Sequence, residues 1–86
     1  MSKSETTDAL PSTLHDHRPA AEVCRARGWR VGQRLVGDEG RGRTVIEITA
    51  VGEASILAKT ISHNGEPASY SREGGWALWC RDWRPA

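Results

Sequence analysis

Thr44-Val45-Ile46-Glu47-Ile48-Thr49-Ala50-Val51 is the stretch that decides the fold. Six of its eight residues are branched at Cβ, which stiffens the side chain and suits a pleated, half-buried surface, so the run predicts a strand. Strand neighbours point to opposite faces. Ile46, Ile48 and Ala50 therefore share one face, the expected core, and Val45, Glu47, Thr49 and Val51 share the other. Upstream, Trp29-Arg-Val-Gly-Gln-Arg-Leu-Val36 leads into the turn-rich Gly37-Asp-Glu-Gly-Arg-Gly42. Downstream, Gly52-Glu53-Ala54 predicts a short reversal and Ser55 to Ser62 the next strand. Asn64-Gly65, inside His63 to Pro67, is a hairpin-turn signal. Residues 68–75 end in Gly74-Gly75 and read as a flexible connection. Trp76 to Trp83 is the ambiguous run, because Trp76, Trp79 and Trp83 also fall at helical spacing. It is short, aromatic and bounded by Gly-Gly and Pro85, which favours a strand.

Ahead of the strands, Pro19-Ala-Ala-Glu-Val-Cys-Arg-Ala-Arg-Gly28 has proline where a first helical turn tolerates it. Glu22 comes early, Arg25 and Arg27 late, and Gly28 stands where a C-cap wants positive φ, so a two-turn helix is expected. It is too short to hold alone, and Val23 and Cys24 must pack on the strands beyond Gly28. Residues 1–18 hold only Leu10 and Leu14 as bulky aliphatics after Met1. That composition predicts a flexible tail, leaving 19–86 as a short helix plus a small β-domain.

The whole chain has 86 residues, room for one domain. Phe is absent while Gly numbers 9, so Val, Ile, Leu and the four Trp must fill a small core. Net charge is +1, from 12 basic and 11 acidic side chains, unlike a histone-like or polyacidic protein. No apolar run reaches the ~20 residues of a membrane helix, and Met1 to Leu10 does not read as a secretion signal. The expectation is a soluble, cytoplasmic protein with Cys24 and Cys80 as thiols.

Val31-Gly-Gln-Arg-Leu35, a Gly-rich loop and Gly42-Arg-Thr-Val-Ile-Glu-Ile48 together resemble the opening hairpin of SH3-like barrels of the KOW and Tudor type. With the other strands, this implies a mainly β fold: a small, SH3-like, partly open antiparallel barrel of about four strands with a short N-terminal helix. From Ala21 to Trp83, the phrases Cys-Arg-Ala-Arg-Gly-Trp, Leu-Val-Gly-Asp-Glu-Gly, Ile-Leu-Ala-Lys-Thr-Ile-Ser-His-Asn-Gly and Cys-Arg-Asp-Trp-Arg are similar to a group of small uncharacterised proteins of actinobacteriophages. The resemblance implies a phage origin and, by itself, no activity and no functional residues.

Alternation along the last run sets Trp76, Leu78 and Cys80 against Trp79, Arg81 and Trp83. The first set is the better inward one, because the second would bury Arg81. Trp79, Arg81 and Trp83 then form an outer aromatic–Arg–aromatic stripe of interface composition, the expected binding face. The alternative is that Trp79 and Trp83 cover the barrel end. A second candidate is the basic segment holding Arg30, Arg34, Arg41 and Arg43, with Arg25 and Arg27 on the helix, suited to phosphates or carboxylates or simply a solvated face.

Chemistry-bearing patterns are sparse. His15-x-His17 lacks a paired Cys-x-x-Cys, Gly37 to Gly42 lacks a phosphate loop's Gly-Lys-Ser/Thr ending, and no acid, base and nucleophile assemble. No catalytic residue, metal or cofactor is expected. The expected function is a non-catalytic phage accessory module that binds a host or phage protein. The alternative is an SH3-like nucleic-acid binder using the arginines.

Overall fold

The computed structural model describes residues 12–38, 42–68 and 73–86. Helix α1 (Ala20–Arg27) precedes strands β1 (Arg34–Asp38), β2 (Arg43–Val51), β3 (Ile56–His63), β4 (Glu66–Pro67), β5 (Gly74–Trp76) and β6 (Asp82–Pro85). The strands form one antiparallel sheet in the order β4-β3-β2-β1-β6, with β5 also paired to β3. The fold is mainly β with one short helix, and the sheet stays open.

α1 forms where the sequence places it. Pro19 is its N-cap and Gly28, at φ 75°, closes it, with the Trp29 amide donating to the Cys24 carbonyl at 2.9 Å. Ala20, Ala21, Val23 and Cys24 are buried. The helix is tied to the β2–β3 turn at two points. The Ala21 amide donates to the Ala54 carbonyl at 3.0 Å, and the Arg25 guanidinium donates to the Gly52 and Glu53 carbonyls at 3.0 and 2.8 Å. α1 and Trp29 thus join Leu35, Ile46, Ile48, Ile56, Ala58, Leu78 and Trp83 in one core.

β2 obeys the expected alternation only as far as Ile48. Ile46 and Ile48 are fully buried, but the register with β3 shifts between Ile48 and Ala50, so Ala50 is only half-buried and Val51 packs on the core instead. A bulge adds one residue to one strand and reverses the facing of everything beyond it. Thr49 is that residue, and its hydroxyl is buried with no partner among the described residues. The Asn64-Gly65 turn forms as expected, with both residues at positive φ, and the Asn64 side-chain carbonyl accepts the Arg43 amide at 3.0 Å.

The last run departs from expectation. It is two strands, β5 and β6, separated by residues 77–81, which turn. Of the expected inward set Leu78 is buried and Trp76 packs on the core, but Cys80 is exposed. Of the expected outward set Trp83 is 2% exposed. The turn breaks the period of two, so alternation cannot be carried from Trp76 to Trp83, and a core without Phe takes the larger ring. Trp83 lies opposite Gly37 in the β1–β6 register. A Cβ at Gly37 would stand 2.8 Å from Trp83 Cε3, so glycine is required there for contact and not for backbone freedom.

Residues 12–18 also differ from the tail their composition predicts. Thr13 is fully buried. Its hydroxyl donates to the Arg81 carbonyl at 2.5 Å and accepts the Trp83 amide at 2.8 Å, and the His15 amide donates to the Trp79 carbonyl at 2.9 Å. The segment is a strap along the free edge of β6. Its anchoring is by hydrogen bonds, which hydropathy does not register. Residues 1–11 of the expected tail lie outside the described residues.

Two substitutions test this packing. Gly37→Ala should cost about 1–3 kcal/mol by overpacking against a ring that cannot yield, read as a lower urea midpoint. Ile48→Ala should cost ~2–5 kcal/mol, whereas Thr49→Val should hold or raise the midpoint, because it removes a buried hydroxyl that makes no hydrogen bond.

Candidate functional site

The sheet sorts its side chains by alternation. Leu35, Thr44, Ile46 and Ile48 face α1 and are buried. Cross-strand partners share a face, so Arg34 with Glu47, Val36 with Val45 and Asp38 with Arg43 lie on the opposite, solvent side. There Arg34 Nε meets Glu47 Oε1 at 3.0 Å, and Arg84 meets Asp82 at 2.8 Å. Burial raises the Asp82 pKa, but hydrogen bonds from Arg84 and Ser12 outweigh it and leave the carboxyl below its usual value. The face is a mixed ladder of cations and anions.

Among the described residues the arginines therefore do not assemble as one basic surface. Arg34 is paired and Arg43 lies beside Asp38 and Asp82 in a shallow groove. Arg25 is engaged on carbonyls, and Arg27 lies 5.3 Å over the Trp29 ring. Arg30 is exposed on the turn before β1, and Arg41 lies outside the described residues. Among the described residues no group of three or more His, Cys, Asp or Glu is placed to hold a metal ion. No helix among them is long and apolar enough to cross a membrane.

The expected aromatic stripe is split in the same way. Trp83 is in the core, Arg81 is half-buried with its guanidinium 5.4 Å over the Trp83 ring, and Trp79 is 42% exposed. Trp79 does not stand alone. The His17 ring stacks on it at 4.8 Å between centroids, tilted 34°, and Leu14 on the same strap is also 42% exposed. Beside them Pro19, Ala54, Ser55 and Leu78 line a shallow cavity of about 280 Å³. His17 is a site residue without a signal in the sequence, since only the strap's hydrogen bonds carry it to Trp79.

Within the strap, the Asp16 carboxylate takes the Arg18 guanidinium at 2.7 Å, a local and exposed pair. The Arg18 hydrogen bond holds the Asp16 pKa down to about 2. A depressed carboxylate pKa contributes above the ordinary ~3.9 and is lost as pH falls towards the depressed value. This local pair is complete at neutral pH.

Residues 18–86 match the family described as a domain of unknown function (DUF7241). The chain belongs to this family. No curated protein and no solved structure matches it. The DUF7241 match begins at residue 18, so Leu14 and His17 lie ahead of the matched residues while Trp79 lies within them.

Thr13→Val keeps the shape of the side chain and removes both bonds to β6, leaving the Trp83 amide and Arg81 carbonyl to solvent or unpaired. It should lower stability by about 1–3 kcal/mol and raise acrylamide quenching of Trp79. Thr13→Ser should restore both readings towards the parent. An unchanged melting curve and unchanged quenching in Thr13→Val would show that the strap does not hold the Trp79 surface.

Proposed function

We propose that this DUF7241 domain is a non-catalytic binding module that takes a protein partner on the Trp79 surface. In this reading it is a bacteriophage accessory protein, working in the host cytoplasm by occupying a host or phage protein. Its SH3-like opening hairpin supplies a rigid frame and not a catalytic site. The observation that carries the reading is the fate of the tryptophans. Trp29 and Trp83 are buried and Trp76 packs on the core, while Trp79 is left at the surface. A large exposed ring stacked on a histidine beside a shallow cavity is the make-up of an interface centre.

Charge weighs against nucleic acid. Phosphate binding needs a concentration of uncompensated Lys and Arg, whereas Arg34 and Arg84 are each paired with a carboxylate and lie on the sheet face away from α1. Among the described residues Arg34 and Arg84 thus offer phosphate no uncompensated cation.

Immobilised protein should capture a host or phage protein from lysate equally well with and without nuclease. Trp79→Ala should weaken that complex by more than ~1 kcal/mol, as truncation of an interface centre does, with a smaller loss of stability than Ile48→Ala. Loss of capture on nuclease treatment, with affinity falling steeply as salt rises, would move the function to the nucleic-acid reading. Trp79→Ala destabilising as strongly as Ile48→Ala would make the ring structural.

A further inference from the structure

Residues 12–18 form no strand, yet they occupy the place of one. On β6 the Arg81 carbonyl and the Trp83 amide both leave the sheet at its edge, and the Thr13 hydroxyl donates to the first and accepts from the second. A carbonyl and an amide two residues apart on one edge are the pair that a single residue of an added parallel strand satisfies, with its own N–H and C=O. One side-chain hydroxyl here does what a docked backbone would do. Two residues on, the His15 amide takes the Trp79 carbonyl, and the His17 ring then covers one face of Trp79.

This segment is held lightly. Of its residues only Thr13 is buried, while Ser12, Leu14, His15, His17 and Arg18 are exposed. It therefore buries no apolar side chain. Its ties to the sheet are the hydrogen bonds of Thr13 and His15, that of the Ser12 side chain with the Asp82 carboxylate, and the His17 ring contact. The Asp16–Arg18 pair is internal to the segment and adds no tie. A stretch with little apolar burial and solvent-exposed hydrogen bonds opens at a lower free energy than the core does.

We propose that the strap is a displaceable stand-in for a partner's strand: an extended segment of a protein partner takes the place of residues 12–18 along β6. Its backbone pairs with the Arg81 carbonyl and the Trp83 amide, and one of its side chains stacks on the Trp79 face that His17 leaves. The inference rests on the Trp79 reading and names its binding mode, strand addition at a sheet edge. In that mode main-chain bonds supply affinity and the side-chain contact supplies selectivity, so the partner is recognised by an unpaired extended stretch and not by charge. In the free protein the strap keeps this edge from pairing with other chains. It does so at an intramolecular effective concentration that an incoming segment must overcome.

The probe is the strap supplied in trans, the end-capped peptide Ser-Thr-Leu-His-Asp-His-Arg of residues 12–18, added to the full chain. Before any peptide is added, the Trp83 amide of the parent should show a hydrogen-exchange protection factor at least ~hundredfold below that of the Ile48 amide, which is bonded to the Gln33 carbonyl, because the strap opens without global unfolding. In full-chain Thr13→Val, whose strap has lost both bonds to β6, the peptide should bind saturably at millimolar concentration. It should shift the Trp79 indole resonance and raise protection of the Trp83 amide at least ~fivefold, and the parent should need at least ~tenfold more peptide for the same effect. A peptide that itself carries Thr13→Val should bind at least ~fivefold more weakly. Equal protection of Trp83 and Ile48, no saturable binding to the Thr13→Val chain, or equal binding of the two peptides overturns the proposal. Should Thr13→Val melt below the working temperature, exchange in the parent and its titration with the two peptides decide. Failure of the Trp79 reading is a separate result, in which Trp79→Ala leaves capture from lysate unchanged although the peptide binds as stated.

Discussion

Burial of Trp83 is the constraint on which the rest of the structure depends. In a chain with four Trp and no Phe, this ring is the largest fully buried side chain. It reaches the core from a strand of four residues at the sheet's edge. Such a placement needs three things at once. Gly37 on the neighbouring strand must lack a side chain, the chain before β6 must turn so that Trp83 faces α1, and the outward backbone groups of β6 must find partners. Each is met by a different part of the sequence.

The third requirement explains the strap. A free sheet edge presents unpaired amides and carbonyls and invites further pairing. On β6 the Ala86 amide donates to Arg34, so residues 82, 84 and 86 turn their backbone groups towards β1 and residues 81, 83 and 85 turn theirs outward. Thr13 takes the Arg81 carbonyl and the Trp83 amide with one hydroxyl, and Pro85 has no amide to offer. A single threonine and a proline together blunt the edge. At the other edge β4 and β5 share β3, which leaves little continuous strand exposed there.

Legibility depends on the kind of interaction involved. α1, β2, β3 and the Asn64-Gly65 turn are readable because local propensity, capping and burial agree within a few residues. Ala50 is misassigned by alternation because a bulge at Thr49 is set by pairing with β3, which a single strand does not reveal. Trp83 is misassigned because the turn at 77–81 contains no Pro, Gly, Asn or Ser to announce it. Thr13 is invisible to the same reading because its anchoring is to residues 68 and 70 positions away. Of the candidate site, Trp79 is legible as an exposed ring, while its companion His17 comes from a segment whose composition suggests no structure.

Exposure of Trp79 is then a consequence of how the turn is held and not of a core too small to take it. Fully burying a large apolar side chain is worth ~1.5–3 kcal/mol, and a free turn would fold the ring down. Here the Trp79 carbonyl is fixed by the His15 amide, the Arg81 carbonyl two residues on is fixed by Thr13, and Leu78 between β5 and Trp79 already fills the inward position. With Leu78 pointing in and both neighbouring carbonyls tied to the strap, Trp79 has only the outer side left, where His17 supports one of its faces. The forces that bury Trp83 and those that expose Trp79 act through the same short strap, so the stability of the core and the shape of the surface cannot be varied independently.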